Sequence, residues 1–214
     1  DLIRKIATEE GYSINMQARG LRQAKSGLVG MIIPLHDNRF FSTLSQSFDT
    51  LARERGFCPV IASTLRRPEE EKRVVETLIS YAIDALFIAG ATDPVQLGDL
   101  CRAANLRHIF IDLPGTDAPS VVTDNYGGAK QLTQRILDHM PRDFEGARNK
   151  PYFLGGSATD HATARRIAAF GDAACEAGIS LSEDQIIQCG YAPRSAASAV
   201  ASLCNTLGGL PAAL

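Results

Sequence analysis

Arg19, Arg22 and Lys25 crowd into residues 11 to 25 with no anion among them, directly ahead of an apolar run from Leu28 to Ile33. If Asn15 caps a helix here, Ala18, Leu21 and Arg22 fall on one face at three- and four-residue spacing. A minor-groove helix needs cations for phosphate, small residues for close approach and an apolar wedge to push between base steps. Asn15, Ala18, Arg19, Leu21 and Arg22 are therefore the candidate DNA-binding residues, with Leu21 as the wedge. A solvated linker helix is the competing reading of the same residues.

A second group of polar residues follows the candidate strands. Ligands of open α/β sheets bind at the carboxyl ends of the strands, so the loops there should gather the recognition groups. His36, Asp37, Asn38, Arg39, Phe40 and Phe41 follow the first strand, Asp112 follows the fourth, and Thr159, Asp160 and His161 follow Gly155-Gly156. Carboxylates that accept hydroxyl hydrogen bonds, with a flat aromatic against a ring's C–H face, suit a sugar. Asp37, Asp160, Phe40 and Phe41 supply that set, and Arg166 offers a forked donor to hydroxyl, carboxylate or phosphate. The plainer alternatives are a hydrophobic anchor at a helix start for the two phenylalanines and a solvated cation for Arg166. His36 and His161 read as loop histidines.

Catalytic signatures are missing from the sequence: no G-x-G-x-x-G follows a strand, and there is no P-loop, nucleophile elbow or H-E-x-x-H. Gly155-Gly156-Ser157 follows a strand but lacks the later glycine that lets a backbone wrap pyrophosphate, and reads as a ligand-loop turn. The five cysteines, Cys58, Cys101, Cys175, Cys189 and Cys204, form no C-x-x-C pair. They are expected to be buried reduced thiols, with no disulfide, metal or cofactor.

The elements that would hold these groups alternate. With 214 residues, 45% of them hydrophobic, the chain can bury a substantial core. A net charge of −2 confines any nucleic-acid contact to a local patch. Leu28 to Ile33 predicts a parallel strand buried on both faces. Phe41, Leu44, Phe48 and Leu51 predict an amphipathic helix ending near Gly56. Phe57 to Ala62 is the next strand. Pro68 starts a helix with Glu69, Glu70 and Glu71 in its first turn, favourable to the helix dipole, and with Val74, Val75, Leu78 and Ile79 inward. Asp84 to Ala89, a helix from about Pro94 to Ala104, and Arg107 to Asp112 complete a β-α-β-α-β-α-β series. After turn-rich Pro114 to Pro119, a subdomain crossing is expected near residues 123 to 130. The series then restarts with a strand at Pro151 to Leu154, a helix around Thr159 to Ala177, a strand at Gln185 to Cys189 and a helix around Arg194 to Asn205. Pro141 to Lys150 reads as a surface loop. No leader or membrane-length apolar run is visible, so a soluble cytoplasmic protein is expected. Asp1 lies inside a helical pattern and Leu214 on the approach to another strand, which reads as a fragment of a longer protein.

The N-x-x-A-R-x-L pattern of Asn15, Ala18, Arg19 and Leu21, with Tyr12 ahead of it, is joined by Ile32-Ile33-Pro34 followed by Phe40-Phe41. Later come Asp84 to Ile88, Ile111-Asp112-Leu113-Pro114, Ser120 to Asn125 with Gly127-Gly128, Gly155-Gly156, and Arg166-Ile167-Ala168-Ala169-Phe170. In order and spacing the chain resembles the lactose-repressor (LacI/GalR) family of transcription regulators over nearly its whole length. The resemblance implies a two-lobed, periplasmic-binding-protein-like α/β effector domain with parallel sheets, preceded by the end of a helical DNA-binding headpiece and a hinge helix. The expected domains are residues 1–25, 26–124 and 125–214, the last incomplete. It implies a homodimer acting on operator DNA and a small-molecule effector such as a sugar, sugar acid or sugar phosphate. Phe40, Phe41, Asp160 and Arg166 fall on effector-contacting positions, and Asn105 and Asp124 match polar family positions less closely. Ile14, Gly20, Arg39 and Ala169 depart from the family pattern. Gly20 costs the hinge helix about 1 kcal/mol relative to alanine, and Arg39 would favour an anionic effector. The rival readings are a periplasmic sugar-binding protein for transport and an enzyme on a doubly wound sheet.

Overall fold

A computed structural model describes Ile6, Glu9 and Glu10 and residues 25–115, 117–141 and 146–214. The candidate DNA-binding residues Asn15, Ala18, Arg19, Leu21 and Arg22 lie outside the described residues. The chain divides into two compact units between Val121 and Val122.

The first unit follows β1 (Leu28–Ile33), α1 (Arg39–Glu54), β2 (Cys58–Ser63), α2 (Pro68–Ser80), β3 (Ala85–Ala89), α3 (Pro94–Ala103), β4 (Arg107–Ile111) and β5 (Ser120–Val121). Its five strands form one sheet in the order β2-β1-β3-β4-β5, every pairing parallel. The continuous apolar run of β1 has its physical reason here, because helices cover both faces of that strand. On one face, Val75 and Leu78 of α2 and Leu97 and Cys101 of α3 pack against Ile32, Leu86, Ile88 and Phe110. On the other, Phe41, Phe48 and Ala52 of α1 pack against Val29, Met31, Ile33 and Ala89. Gly30 permits the first packing. A Cβ there would lie 2.9 Å from Ile83 Cδ1 and 3.3 Å from Leu78 Cδ1.

Helix starts are set by local chemistry. Asn38 accepts from Phe40 N at 2.9 Å and Asp93 from Gln96 N at 2.9 Å, each satisfying an amide that the helix leaves open. Pro68 and Pro94 occupy first-turn positions, where the missing N–H costs nothing. The buried stripe of α1 differs from the expected one: it runs Phe41, Ser45, Phe48 and Ala52, while Leu51 is 48% exposed. At 3.6 residues per turn the stripe continues from Phe48 to Ala52, leaving Leu51 on its flank.

The second unit contains α4 (Asn125–His139), β6 (Phe153–Gly155), α5 (His161–Glu176), β7 (Ile186–Gln188) and α6 (Pro193–Leu207), with short 3-10 turns at Ala147–Asn149 and Glu183–Gln185. β6 and β7 pair in parallel, and Pro151 makes an isolated parallel bridge to Ala213. Leu137 and Met140 meet Ala174 and Ile179 in a core where α4 crosses α5. Across the outer rim of that pair, Tyr126 OH donates to Asp172 at 2.6 Å and Lys130 Nζ to Glu176 at 2.7 Å. The Lys130 hydrogen bond holds the Glu176 carboxyl below its ordinary range.

All five cysteines are free. Contrary to the expectation of buried thiols, Cys58 and Cys175 are exposed and only Cys101 is fully buried, because Cys58 starts an edge strand and Cys175 faces outward near the end of α5. Burial pushes the Cys101 thiol up to about 11. Two consequences follow in sign. At pH 8 iodoacetamide should label Cys58 and Cys175 in the folded protein and Cys101 only after unfolding, as read by peptide mass spectrometry. A thiol raised in the folded state favours folding fully below its unfolded pKa and loses that contribution as pH rises to about 11. Stability attributable to Cys101 should therefore decline between about pH 9 and pH 11, and Cys101→Ala should flatten the decline in denaturant titrations.

Among the described residues no helix is long and apolar enough to cross a membrane, and no three His, Cys, Asp or Glu side chains gather as a metal site.

Candidate functional site

In the first unit, the loop after β1 places His36, Asp37 and Arg39 at the surface. Phe40 and Phe41 separate in role. Phe40 is 46% exposed, whereas Phe41 is 5% exposed and meets Phe40 edge to face at 5.1 Å between ring centroids. Phe41 also reaches the turn after β3. A Cβ on Gly90, where φ is +63°, would lie 2.8 Å from Phe41 Cζ and 2.7 Å from Pro34 Cγ. Phe41 thus packs between the turns that follow β1 and β3, and Phe40 is the exposed ring of the two.

The turn after β3 has a second tie that sequence reading missed. Glu71, in the first turn of α2, is 1% exposed. Its two carboxyl oxygens each accept from Thr92 N at 3.0 Å, and one also accepts from Thr92 Oγ1 at 2.8 Å. The available signal was the spacing of Glu71, Val75 and Leu78, which puts Glu71 on the buried stripe of its helix instead of among solvated first-turn carboxylates. Asn105 lies at the opposite, amino end of the strands, just before β4, in a left-handed conformation with φ 54°. It lines a cleft with Asp84 and Arg107, away from the ligand-edge loops.

In the second unit a cleft of about 490 Å³ runs along α4 beside β6; its lining is mostly apolar, including Leu132, Ile136, Phe153 and Phe170, with Asp124, Asn125, Thr133 and Arg166 as polar members. Arg166 Nε donates to Asn125 Oδ1 at 2.7 Å, and Asn125 Nδ2 donates to Thr123 O at 3.3 Å. Held at Nε, the guanidinium keeps its two terminal nitrogens for other acceptors. Asp124 caps α4 by accepting from Gly127 N at 2.8 Å. An anchored guanidinium and a helix-capping carboxylate therefore line the same, otherwise largely apolar cleft, a pairing suited to hydroxyls that both donate and accept.

Asp160 sits at the N-cap position of α5, half-buried, and is not among the residues lining that cleft. The Gly155-Gly156 pair makes room for aromatics: a side chain on Gly156 would collide with the Tyr191 ring and one on Gly155 with Phe153. Tyr191 OH lies 3.3 Å from Thr163 Oγ1. Ala158 N donates to Gln188 Oε1 at 2.8 Å, pinning the β6–α5 loop to the end of β7. Asn125 closed one of the family landmarks but carried no assigned role, and Tyr191 and Gln188 carried no motif of their own. Of the sequence-predicted residues, Asp37, Phe40 and Phe41 belong to the first unit, Asp160 and Arg166 to the second.

Parallel α/β units with polar side chains gathered on the loops after their strands define a ligand-binding domain of the periplasmic-binding-protein type. Residues 26–209 match the family described as periplasmic binding proteins and sugar binding domain of LacI family, and the chain belongs to the LacI/GalR family. It is 45% identical over 154 residues to the ribitol operon repressor of Klebsiella aerogenes, covering 72% of this chain and 57% of that protein. With the sucrose operon repressor of Klebsiella pneumoniae it shares 30% identity over 215 residues, 98% of this chain and 61% of the relative. The chain thus spans roughly three-fifths of the length of these curated relatives. Among solved structures it is similar to the Cra transcriptional dual regulator of Pseudomonas putida in complex with fructose 1-phosphate, with TM-score 0.75, 25% identity, and coverage of 88% of this chain and 67% of that one.

Proposed function

We propose that this chain carries the effector-sensing domain of a transcriptional repressor whose operator affinity is set by a sugar or polyol. The observation that carries the reading is Arg166, held by Asn125 beside Asp124 in the cleft of the second unit. That cleft mixes fixed donors with a fixed acceptor, which matches the alternating demands of neighbouring hydroxyls better than those of an isolated anion. The names of the ribitol and sucrose operon repressors point the same way, and the 45% identity to the former makes a pentitol the first compound to try. Fructose 1-phosphate, bound by the Cra relative, keeps sugar phosphates among the candidates. Asp37, Phe40 and Arg39 of the first unit and Asp160 of the second are assigned as further effector contacts, with Phe41 setting the position of Phe40.

In this reading residues 1–25 are the end of a DNA-binding headpiece and its hinge, with Asn15, Ala18, Arg19, Leu21 and Arg22 on operator DNA, and residues 26–124 and 125–214 are the two lobes. The protein acts as a cytoplasmic homodimer, without catalysis or a cofactor. The operon-repressor relatives favour this over a transport binding protein. Effector binding would couple to DNA affinity through a shift in conformer populations. The test is fluorescence anisotropy of the full-length gene product on its own upstream DNA, at fixed salt, with and without pentitols, sugars and sugar phosphates. One compound should change operator affinity about tenfold or more, roughly 1.4 kcal/mol of coupling. Tight sugar binding with no operator binding would move the function to transport.

A further inference from the structure

We infer that Asp84 is a positioning residue for DNA binding: it immobilises the glycine joint between the DNA-binding segment and the effector domain. The inference rests on the proposed assignment of residues 11 to 25 to operator contact. Gly27, the last residue before β1, adopts φ +75°, and a Cβ built on it would meet nothing within 4 Å. No side chain at this position anchors it by packing, and the positive φ suits glycine. Hydrogen bonds hold it instead. Asp84 Oδ2 accepts from Gly27 N at 2.9 Å, and Asp84 Oδ1 accepts from Ser26 N at 2.8 Å and from Ser26 Oγ at 3.3 Å. Two successive backbone amides converging on one carboxyl group make a compact anion-binding nest, here filled by a side chain from the neighbouring strand's approach.

The other edge of the segment is tied as well. Gly27 O accepts from Cys58 N at 2.8 Å, and Asp84 N donates to Leu28 O at 2.8 Å. Residues 26 to 28 are thereby stitched to the starts of both β2 and β3. No salt bridge joins Asp84 to any cation among the described residues, so its recorded partners are the amides and hydroxyl of this segment. Asp84 lies at the amino end of β3, whereas the turn held by Glu71 lies at the carboxyl end of the same strand. The strand thus connects an effector-edge loop to the anchor of the DNA-binding segment. Releasing the anchor should leave the effector edge intact while freeing the segment that must be presented to DNA in one orientation.

The test uses the full-length protein and its Asp84→Asn variant, which keeps the side chain's shape but turns an NH₂ towards a backbone N–H. Operator affinity is measured by anisotropy, effector affinity without DNA by calorimetry with ribitol or whichever compound responds in the wild type, and amide exchange at Ser26 and Gly27 by mass spectrometry. The latch predicts operator affinity lowered about fivefold to tenfold, effector affinity within about twofold of wild type, and faster exchange confined to residues 26 to 28. Ser26→Pro, which removes both the Ser26 N–H and hydroxyl donors to Asp84 and the hydroxyl that accepts from Leu28 N, should move operator affinity in the same direction and serves if Asp84→Asn does not fold. Operator affinity unchanged in a folded variant overturns the latch. Operator and effector affinity falling together also overturns it, because Asp84 would then be a general support of the domain. A wild-type protein that ignores operator DNA would refute the repressor reading itself, a result visible before any variant is compared.

Discussion

Arg166→Ala should lower effector affinity about 10- to 100-fold with little change in thermal stability. Among the described residues the guanidinium makes one hydrogen bond, to Asn125, and the residue is otherwise exposed, so folding gains little from it. A ligand oxygen, by contrast, would lose a charge-assisted hydrogen bond worth roughly 1.5–3 kcal/mol, which converts to that fold-change. Lysine should not rescue, because an ammonium cannot be held at one nitrogen while presenting two others in a plane. Asn125→Ala should have an intermediate effect: the fork remains but loses the bond that aims it. Calorimetry with the responding compound, beside melting curves of each variant, checks all three. Wild-type affinity in Arg166→Ala would remove the second-unit cleft from the site, while a matching fall in melting temperature would make Arg166 a structural residue.

Positions buried on both faces were the most legible from sequence. β1 could be read from Leu28–Ile33 because a strand covered on both sides has no polar position to confuse its boundaries. The α/β alternation followed for the same reason. Legibility fell where one helical position decides the outcome: Leu51 and Ala52 are neighbours, and only the packed sheet beneath α1 selects the smaller residue. The tertiary contact of Glu71 went unseen because a carboxylate at a helix start has a sufficient local reason to be there, which hides a second one. The bonds made by Asn125 and Asp84 went unseen for a related reason. Each acts by holding another residue, and a bond between positions 41 or 57 apart leaves no periodic trace in a single sequence. Arg166 and Phe40 were singled out through family resemblance more than through spacing. The division of labour between Phe40 and Phe41 required knowing that Gly90 comes up against the second ring. The DNA-binding assignments lie outside the described residues and stand on the sequence pattern and the resemblance.

Glu71→Ala should cost the first unit about 3 kcal/mol, the largest single-site loss of stability expected outside the apolar core. Truncation leaves Thr92 N–H and its hydroxyl without the acceptors they have now, in a site where the glutamate is 1% exposed. Thr92 is itself exposed and its groups can turn to water, so the loss is that of hydrogen bonds to a charged acceptor, roughly 1.5–3 kcal/mol, and the space left by the side chain adds to that. For a chain of this size the midpoint of thermal unfolding should fall on the order of 10 °C. Glu71→Gln separates the contributions: it fills the space and retains one acceptor oxygen, so about half the loss should return. Thr92→Val should be milder still, since the backbone N–H keeps its partner. The same substitution should reach the effector edge, because Thr92 belongs to the turn in which Gly90 meets Phe41, and that ring in turn supports Phe40. Effector affinity in Glu71→Ala should therefore drop at temperatures well below its unfolding transition, with amide exchange rising first at residues 90 to 93. A variant that melts within about 2 °C of wild type would mean that the turn finds water or another acceptor in place of Glu71, and the link from α2 through the β3 turn to Phe40 would carry no weight.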